Sequence, residues 1–105
     1  MGPMGYAVAY NERMSVIGTV QSNIIAFQKI ADTTTDPDVK ARYSDSVEEM
    51  KKNLPLIERQ AKQYAANAGI GAEDFGHIVD PTKYDGYGKN GKGVKFPIVN
   101  LFDSA

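Results

Sequence analysis

Residues 31–42, ADTTTDPDVKAR, mark the point at which the chain reverses direction. Asp36 can accept hydrogen bonds from free amides of the next turn, Pro37 has its φ preset for the first helical position, and Asp38 suits the positive end of a helix. A helix is therefore predicted to begin there. Because only four or five residues connect it to the helical pattern that precedes it, the sequence predicts an antiparallel helical hairpin.

The stretch before this connection has helical periodicity. With Asn11 as its N-terminal cap, the first helix is predicted over residues 12–31. Its apolar residues recur at spacings of three, four and seven, which keep them on one stripe of a helix. They are Tyr10, Ile17, Val20, Ile24, Phe27 and Ala31.

Other apolar residues of this helix lie off the stripe, among them Val16, Ile25 and Ile30, and residues 14–28 contain no charged side chain. Such a helix is expected to be covered on more than one side. These apolar residues pack either in the core of the monomer or in an oligomer interface, and the sequence is compatible with both.

The second helix is predicted to be amphipathic and to end at Gly69, a residue that favours the left-handed conformation. Pro55 lies inside it, lacks the amide that would bond to the Lys51 carbonyl, and predicts a kink or a split. The apolar stripe nevertheless keeps its phase across the proline: Val39, Tyr43, Val47, Met50, Leu54, Ile57, Ala61, Tyr64 and Ala68.

The last third of the chain is richer in glycine. Spacing predicts a short third helix over about 72–79, stopped by Asp80 and Pro81. The final apolar run VKFPIVNLF, residues 94–102, has a β-like composition, and Pro97 limits it to an edge strand or an extended segment.

The predicted fold is mainly α, an antiparallel helical hairpin with a short third helix and an extended, partly β-like C-terminal tail. Residues 1–10 are assigned to an N-terminal segment in which GPM resembles a cloning scar. Residues 11–80 hold the hairpin and the short helix. Residues 81–105 form a Gly/Lys-rich loop and an apolar C-terminal arm.

Composition narrows the classes of function. Acidic and basic residues number 13 and 12, a net charge of −1, so no global field attracts nucleic acid or anionic membranes. The chain has no Cys, which excludes disulfides and Cys-ligated metal sites. With no signal peptide and no long apolar run, a cytoplasmic protein is expected, or one of the virion or host cytoplasm if it derives from a phage.

Residues 86–93, GYGKNGKG, resemble the phosphate-binding pattern GxxxxGK[ST], but Gly93 stands where a hydroxyl residue would hold magnesium. No buried strand precedes this stretch and no helix follows it. Nucleotide hydrolysis is therefore not expected, and the stretch is interpreted as a flexible connector.

The same region supports an alternative function, binding of nucleic acid or a nucleotide ligand. Lysines neutralise phosphates and aromatic rings stack on unpaired bases. The candidate contacts are Lys83, Tyr84, Tyr87, Lys89, Lys92 and Lys95.

His77 is the only histidine, and Asp74 and Asp80 lie three residues to either side of it. Three such side chains on one helical face could bind a metal, but Pro81 disfavours helical geometry at Asp80. We therefore expect no metal, no cofactor and no catalytic residue.

The favoured function is that of a small non-enzymatic protein that acts by protein contact or assembly, with itself as the first partner, through the first helix. Its small size and plain sequence suggest a bacterial or phage accessory or inhibitor protein. The C-terminal arm docks either on its own hairpin or on a neighbour. The candidate interaction residues are Val16, Val20, Ile24, Ile25, Phe27, Phe96, Ile98, Leu101 and Phe102.

Overall fold

The computed structural model describes residues 2–84, which form a helical hairpin. Helix α1 spans Pro3–Thr33, helix α2 spans Pro37–Ala68, and a 3₁₀ turn spans Pro81–Lys83. The two long helices pack against each other along the hairpin. The prediction of a mainly α fold built on a helical hairpin is confirmed. Within residues 2–84 there is no β-strand.

Helix α1 begins at Pro3 rather than at residue 12, so the predicted start was wrong. Gly2 has an extended backbone and Pro3 occupies the first helical turn, where its missing amide costs nothing. Ala7 and Tyr10 are buried and belong to the core. Residues 3–10 are therefore part of the hairpin, and Asn11 lies inside the helix instead of capping it.

Both ends of α2 have the predicted signals. The Asp36 carboxylate accepts hydrogen bonds from the amides of Asp38 at 2.9 Å and Val39 at 3.4 Å. At the other end Gly69 has φ of 79°, and the Ile70 amide donates to the Ala65 carbonyl at 3.0 Å. This hydrogen bond to a carbonyl five residues earlier is typical of the Schellman motif, which ends a helix at a left-handed residue.

Helix α2 is continuous through Pro55, so the predicted alternative of two separate helices was wrong. The proline deprives the Lys51 carbonyl of its helical partner. Both residues are exposed, which lets water hydrate that carbonyl.

The core lies between the predicted stripes, and at one end a third layer is added. Ala61, Ala65 and Ala68 of α2 are buried there, together with Ile70 and Phe75 from the segment that follows. The small alanine side chains leave room for this segment to pack on both helices. The result is a three-layer core at the end of the hairpin where α1 begins.

The predicted third helix over 72–79 is wrong, because this segment forms turns and the helical turn lies later, at Pro81–Lys83. Gly76 has φ of 99°, a left-handed conformation that interrupts a helix. The amides of Asp74 and Phe75 both donate to the Gly71 carbonyl, a single turn that does not propagate.

The predicted loop and apolar arm, residues 85–105, lie outside the described residues. Within residues 2–84, neither helix combines the length and the sustained hydropathy that crossing a membrane requires.

Candidate interaction surfaces

Residues 69–84, here called the cap, are attached to α1 by the buried Tyr10. Its hydroxyl donates to the His77 carbonyl at 2.7 Å and accepts from the Gly76 amide at 2.9 Å. Its ring lies 5.8 Å from that of Phe75. Burial raises the pKa of the Tyr10 phenol, so the hydroxyl stays protonated and keeps its role as a donor.

Asn11 provides a second attachment one residue further along α1. Its Nδ2 donates to the Val79 carbonyl at 2.8 Å, and its Oδ1 accepts from the Val79 amide at 2.9 Å. One side-chain amide thus satisfies both backbone groups of one cap residue, as a neighbouring strand would. The cap is held in a defined register on α1.

Tyr84 is the last residue of the cap. It is 2% exposed and its hydroxyl lies 3.5 Å from Oδ2 of Asp74. Burial, followed by the Asp74 charge, raises the pKa of the Tyr84 phenol. The cap therefore ends with a second buried tyrosine close to the first.

One aromatic residue of the alternative nucleic-acid site, Tyr84, is buried. The ring that was expected to stack on a base is packed into the core, while Lys83 next to it is exposed. The other candidate contacts of that site lie outside the described residues. They are Tyr87, Lys89, Lys92 and Lys95.

The cap covers one side of the hairpin. Gly76 and Ile78 of the cap line a pocket of about 290 Å³ together with Met14 and Gly18 of α1. Because successive helical residues are about 100° apart, Asn11, Met14 and Gly18 lie on one stripe. This stripe is the side of α1 that meets the cap.

The opposite side of the hairpin carries an apolar strip with an aromatic pair at each end, here called the aromatic face. Phe27 and Tyr43 pack edge to face with ring centroids 5.0 Å apart, and Tyr6 and Tyr64 lie 6.2 Å apart. Every side chain of the aromatic face is partly exposed. Its members are Tyr6, Val16, Val20 and Phe27 of α1 and Tyr43, Met50, Ile57 and Tyr64 of α2.

The structure divides the predicted interaction residues of α1 between two sides. Val16, Val20 and Phe27 share the aromatic face. Ile25 is 73% exposed and lies roughly half a turn away, on the cap side, with Ile24 between the two. Phe96, Ile98, Leu101 and Phe102 lie outside the described residues.

The predicted interaction residues lie in α1 and in the C-terminal arm, and none of them belongs to α2. The signal was present, because the α2 stripe consists of two rows with a period of seven. Val47, Leu54, Ala61 and Ala68 form the row that packs in the core. Tyr43, Met50, Ile57 and Tyr64 form the partly exposed row of the aromatic face.

The described residues do not assemble a metal site. No group of three His, Cys, Asp or Glu side chains in residues 2–84 is placed to hold a metal ion. His77 is exposed and takes part in the structure through its backbone carbonyl, which accepts from Tyr10. Asp80 instead bonds locally to the amide and hydroxyl of Thr82, and the hydroxyl bond is the main cause that lowers the pKa of the Asp80 carboxyl.

Comparisons with known protein families, with curated proteins and with solved structures find no match to this chain.

Proposed function

We propose that this protein is a non-enzymatic interaction and assembly protein that associates with a second copy of itself through the aromatic face. The observation that supports the proposal is the face itself, a strip of partly exposed apolar side chains from both helices. Within residues 2–84 the cap packs on the other side of the hairpin, so no third layer of the described chain covers this strip. The size of the chain suggests a small accessory or inhibitor protein of a bacterium or phage.

The dimensions of the face suit a dimer. Tyr6 and Phe27 are about 32 Å apart along α1 at a rise of 1.5 Å per residue, and two adjacent helices are about 20 Å wide. The footprint of about 600 Å² approaches the roughly 800 Å² that each partner contributes to a standard interface. Two hairpins joined by a two-fold axis would form a four-helix bundle.

The chemistry of the face favours a protein partner over a nucleic acid. Its eight members are uncharged. Arg13 lies in the same row of α1 as Tyr6, Val20 and Phe27, at a spacing of seven, and its guanidinium donates to the side-chain oxygen of Gln60 at 3.3 Å. Aromatic residues, Met and Arg are the residue types that protein interfaces favour. The edge-to-face pair of Phe27 and Tyr43 supplies a rigid anchor.

The test is the oligomeric state of the full chain, measured by light scattering across a concentration series. Val20→Lys introduces a charge into the aromatic face, and we expect it to raise the dissociation constant of the dimer at least tenfold. Thr19→Lys is the matched control, because it places the same charge on an adjacent, exposed position that faces away. That variant should dimerise like the unmodified chain.

Circular dichroism must show that both variants keep their helices, and Val16→Lys replaces Val20→Lys if the latter unfolds. A full chain that stays monomeric at all concentrations would refute the proposal. Equal weakening by the Thr19 and Val20 substitutions would also refute it, because the effect would then depend on net charge and not on the face.

A further inference from the structure

The cap side of the hairpin has an uncovered continuation. Ala7, Asn11 and Met14 lie beneath or beside the cap, and the same stripe continues at spacings of four, three and four to Gly18, Gln21 and Ile25. Ile25 is 73% exposed, the most exposed large apolar side chain of the described residues. The cap thus covers only the first half of this stripe, which carries the apolar side chains Ala7, Met14 and Ile25 and the amides Asn11 and Gln21.

A groove runs along this uncovered half. It has a volume of about 500 Å³ and is lined mainly by α1, including Ile24, Ile25, Gln28 and Asp32, with Lys51 from α2. Asp32 accepts from Nε2 of Gln28 at 2.9 Å, so these two polar side chains are partnered with each other. Ile24 and Ile25 are the apolar side chains that the groove presents to an occupant.

We propose that the apolar run Val94–Phe102 of the same chain docks in this groove and extends the cover that the cap begins. The proposal is independent of the aromatic face, which lies on the other side of the hairpin. It assigns Ile25 and the C-terminal run, both candidates for self-association in the sequence, to a contact within one molecule.

The point at which the described chain ends favours this occupant. Tyr84 is the last described residue, and its hydroxyl and that of Tyr10 both lie 3.5 Å from oxygens of Asp74. The chain therefore leaves the described part on the cap side, near the level of Tyr10. From there, Ile25 is about 22 Å further along α1.

The connecting residues 85–93 can span this distance. The ten steps from Tyr84 to Val94 reach at most about 33–36 Å when extended. Because the run belongs to the same chain, its binding to the groove is an intramolecular event with a high effective concentration. A separate partner would have to compete with this intramolecular segment.

The composition and length of the apolar run also suit the groove. Six of its nine residues are large and apolar, namely Val94, Phe96, Ile98, Val99, Leu101 and Phe102. From Gly18 to Asp32 the stripe is about 21 Å long, which about six extended residues cover. An extended segment with Pro97 can lie along a helical groove, since it needs no neighbouring strand.

The absence of cysteine from the chain gives a direct test. Two cysteines are introduced into the full chain, Gln28→Cys in the groove and Val99→Cys in the run, and disulfide formation is followed under mild oxidation at low protein concentration. The matched control pairs Val99→Cys with Ala26→Cys, which is exposed on the far side of α1. We expect the groove pair to form an intramolecular disulfide at least tenfold faster than the control pair.

Equal rates for the two pairs would overturn the proposal, since the run would then have no preferred site. A disulfide that forms only between molecules would also overturn it and would indicate an arm exchanged between copies. The reaction is repeated in the Val20→Lys background, where docking is expected to persist whether or not the chain dimerises. Loss of the intramolecular disulfide there would contradict the independence of the two surfaces.

Discussion

The two halves of the hairpin use the same two helices but differ in what packs on them. In the capped half, buried alanines of α2 make room for Ile70, Phe75 and Tyr84, so a third layer completes the core. In the open half, towards the connection between the helices, the buried side chains are Ala31 and Val47 while larger ones remain partly exposed. Small side chains thus allow a third layer, and large ones leave a surface available for contact.

Polar bonding reinforces this difference. Tyr10 and Asn11 attach the cap through backbone groups more than sixty residues away in sequence. In the open half, the Lys40 ammonium donates to the Ala31 carbonyl at 2.9 Å, across the short connection. Bonds between segments that are distant in sequence open only when the packing between those segments is lost, so we infer that stability is concentrated at the capped half.

The largest effect is expected from Tyr10→Ala. The substitution removes a fully buried ring and leaves the Gly76 amide and the His77 carbonyl without their partner, so the free energy of unfolding should fall by about 3–5 kcal/mol. Val47→Ala, the comparison in the open half, removes two buried methyl groups and should cost about 2 kcal/mol. Urea denaturation followed by circular dichroism measures both.

If Tyr10→Ala does not fold, Tyr10→Phe serves in its place. It keeps the ring and removes only the hydroxyl, with an expected loss of about 1–2 kcal/mol. Equal losses for Tyr10→Ala and Val47→Ala would contradict the view that the capped half holds most of the stability.

A smaller effect is expected from Asn11→Ala. Two hydrogen bonds to Val79 are lost while helix propensity improves, so the net loss should be about 1–2 kcal/mol. Asn23→Ala is the matched control, since Asn23 is exposed on the same helix and its replacement should be neutral or slightly stabilising. Hydrogen exchange at the Val79 amide should accelerate only in the first variant, and unchanged exchange there would show that Asn11 does not hold the cap.

Features that depend on neighbouring residues could be predicted from the sequence, and features that depend on contacts between distant residues could not. The reversal at Asp36 and Pro37 and the end of α2 at Gly69 depend on neighbouring residues, and the sequence predicted both. The start of α1 has a local signal in Pro3, but the burial of Ala7 and Tyr10 depends on residues 70–84, which lie far away in sequence. Residues 72–79 have helical spacing, but Gly76 turns left-handed and its amide bonds to Tyr10 instead of continuing a helix.

The candidate interaction surface was also predicted only as far as local periodicity allows. Helical periodicity placed Val20 and Phe27 on the core stripe and Val16 off it, whereas all three are partly exposed on the aromatic face. It could not show that Ile25 belongs to another side, because that division depends on where the cap lies. Nor did it pair Phe27 with Tyr43, a contact that joins residues of separate helices.

The smallest effects are expected from replacing two glycines at the borders of the cap by alanine. The two substitutions should change the free energy of unfolding in opposite directions. Gly69 begins the cap with φ of 79°, a conformation that disfavours a side chain, so Gly69→Ala should lower the free energy of unfolding by about 1 kcal/mol. Gly18 lies inside α1, and an added Cβ there meets no atom within 4 Å. Gly18→Ala should raise the stability by about 0.5–1 kcal/mol, since alanine is the better helix former.

Urea midpoints with unchanged slopes would measure both glycine effects as differences in stability alone. Because the two residues share no hydrogen-bond partner, the double variant should be close to the unmodified chain. A destabilised Gly18→Ala would mean that the stripe at Gly18 is already covered closely enough to exclude a methyl group. In that case the boundary between the capped and open halves would lie further along α1, towards Ile25.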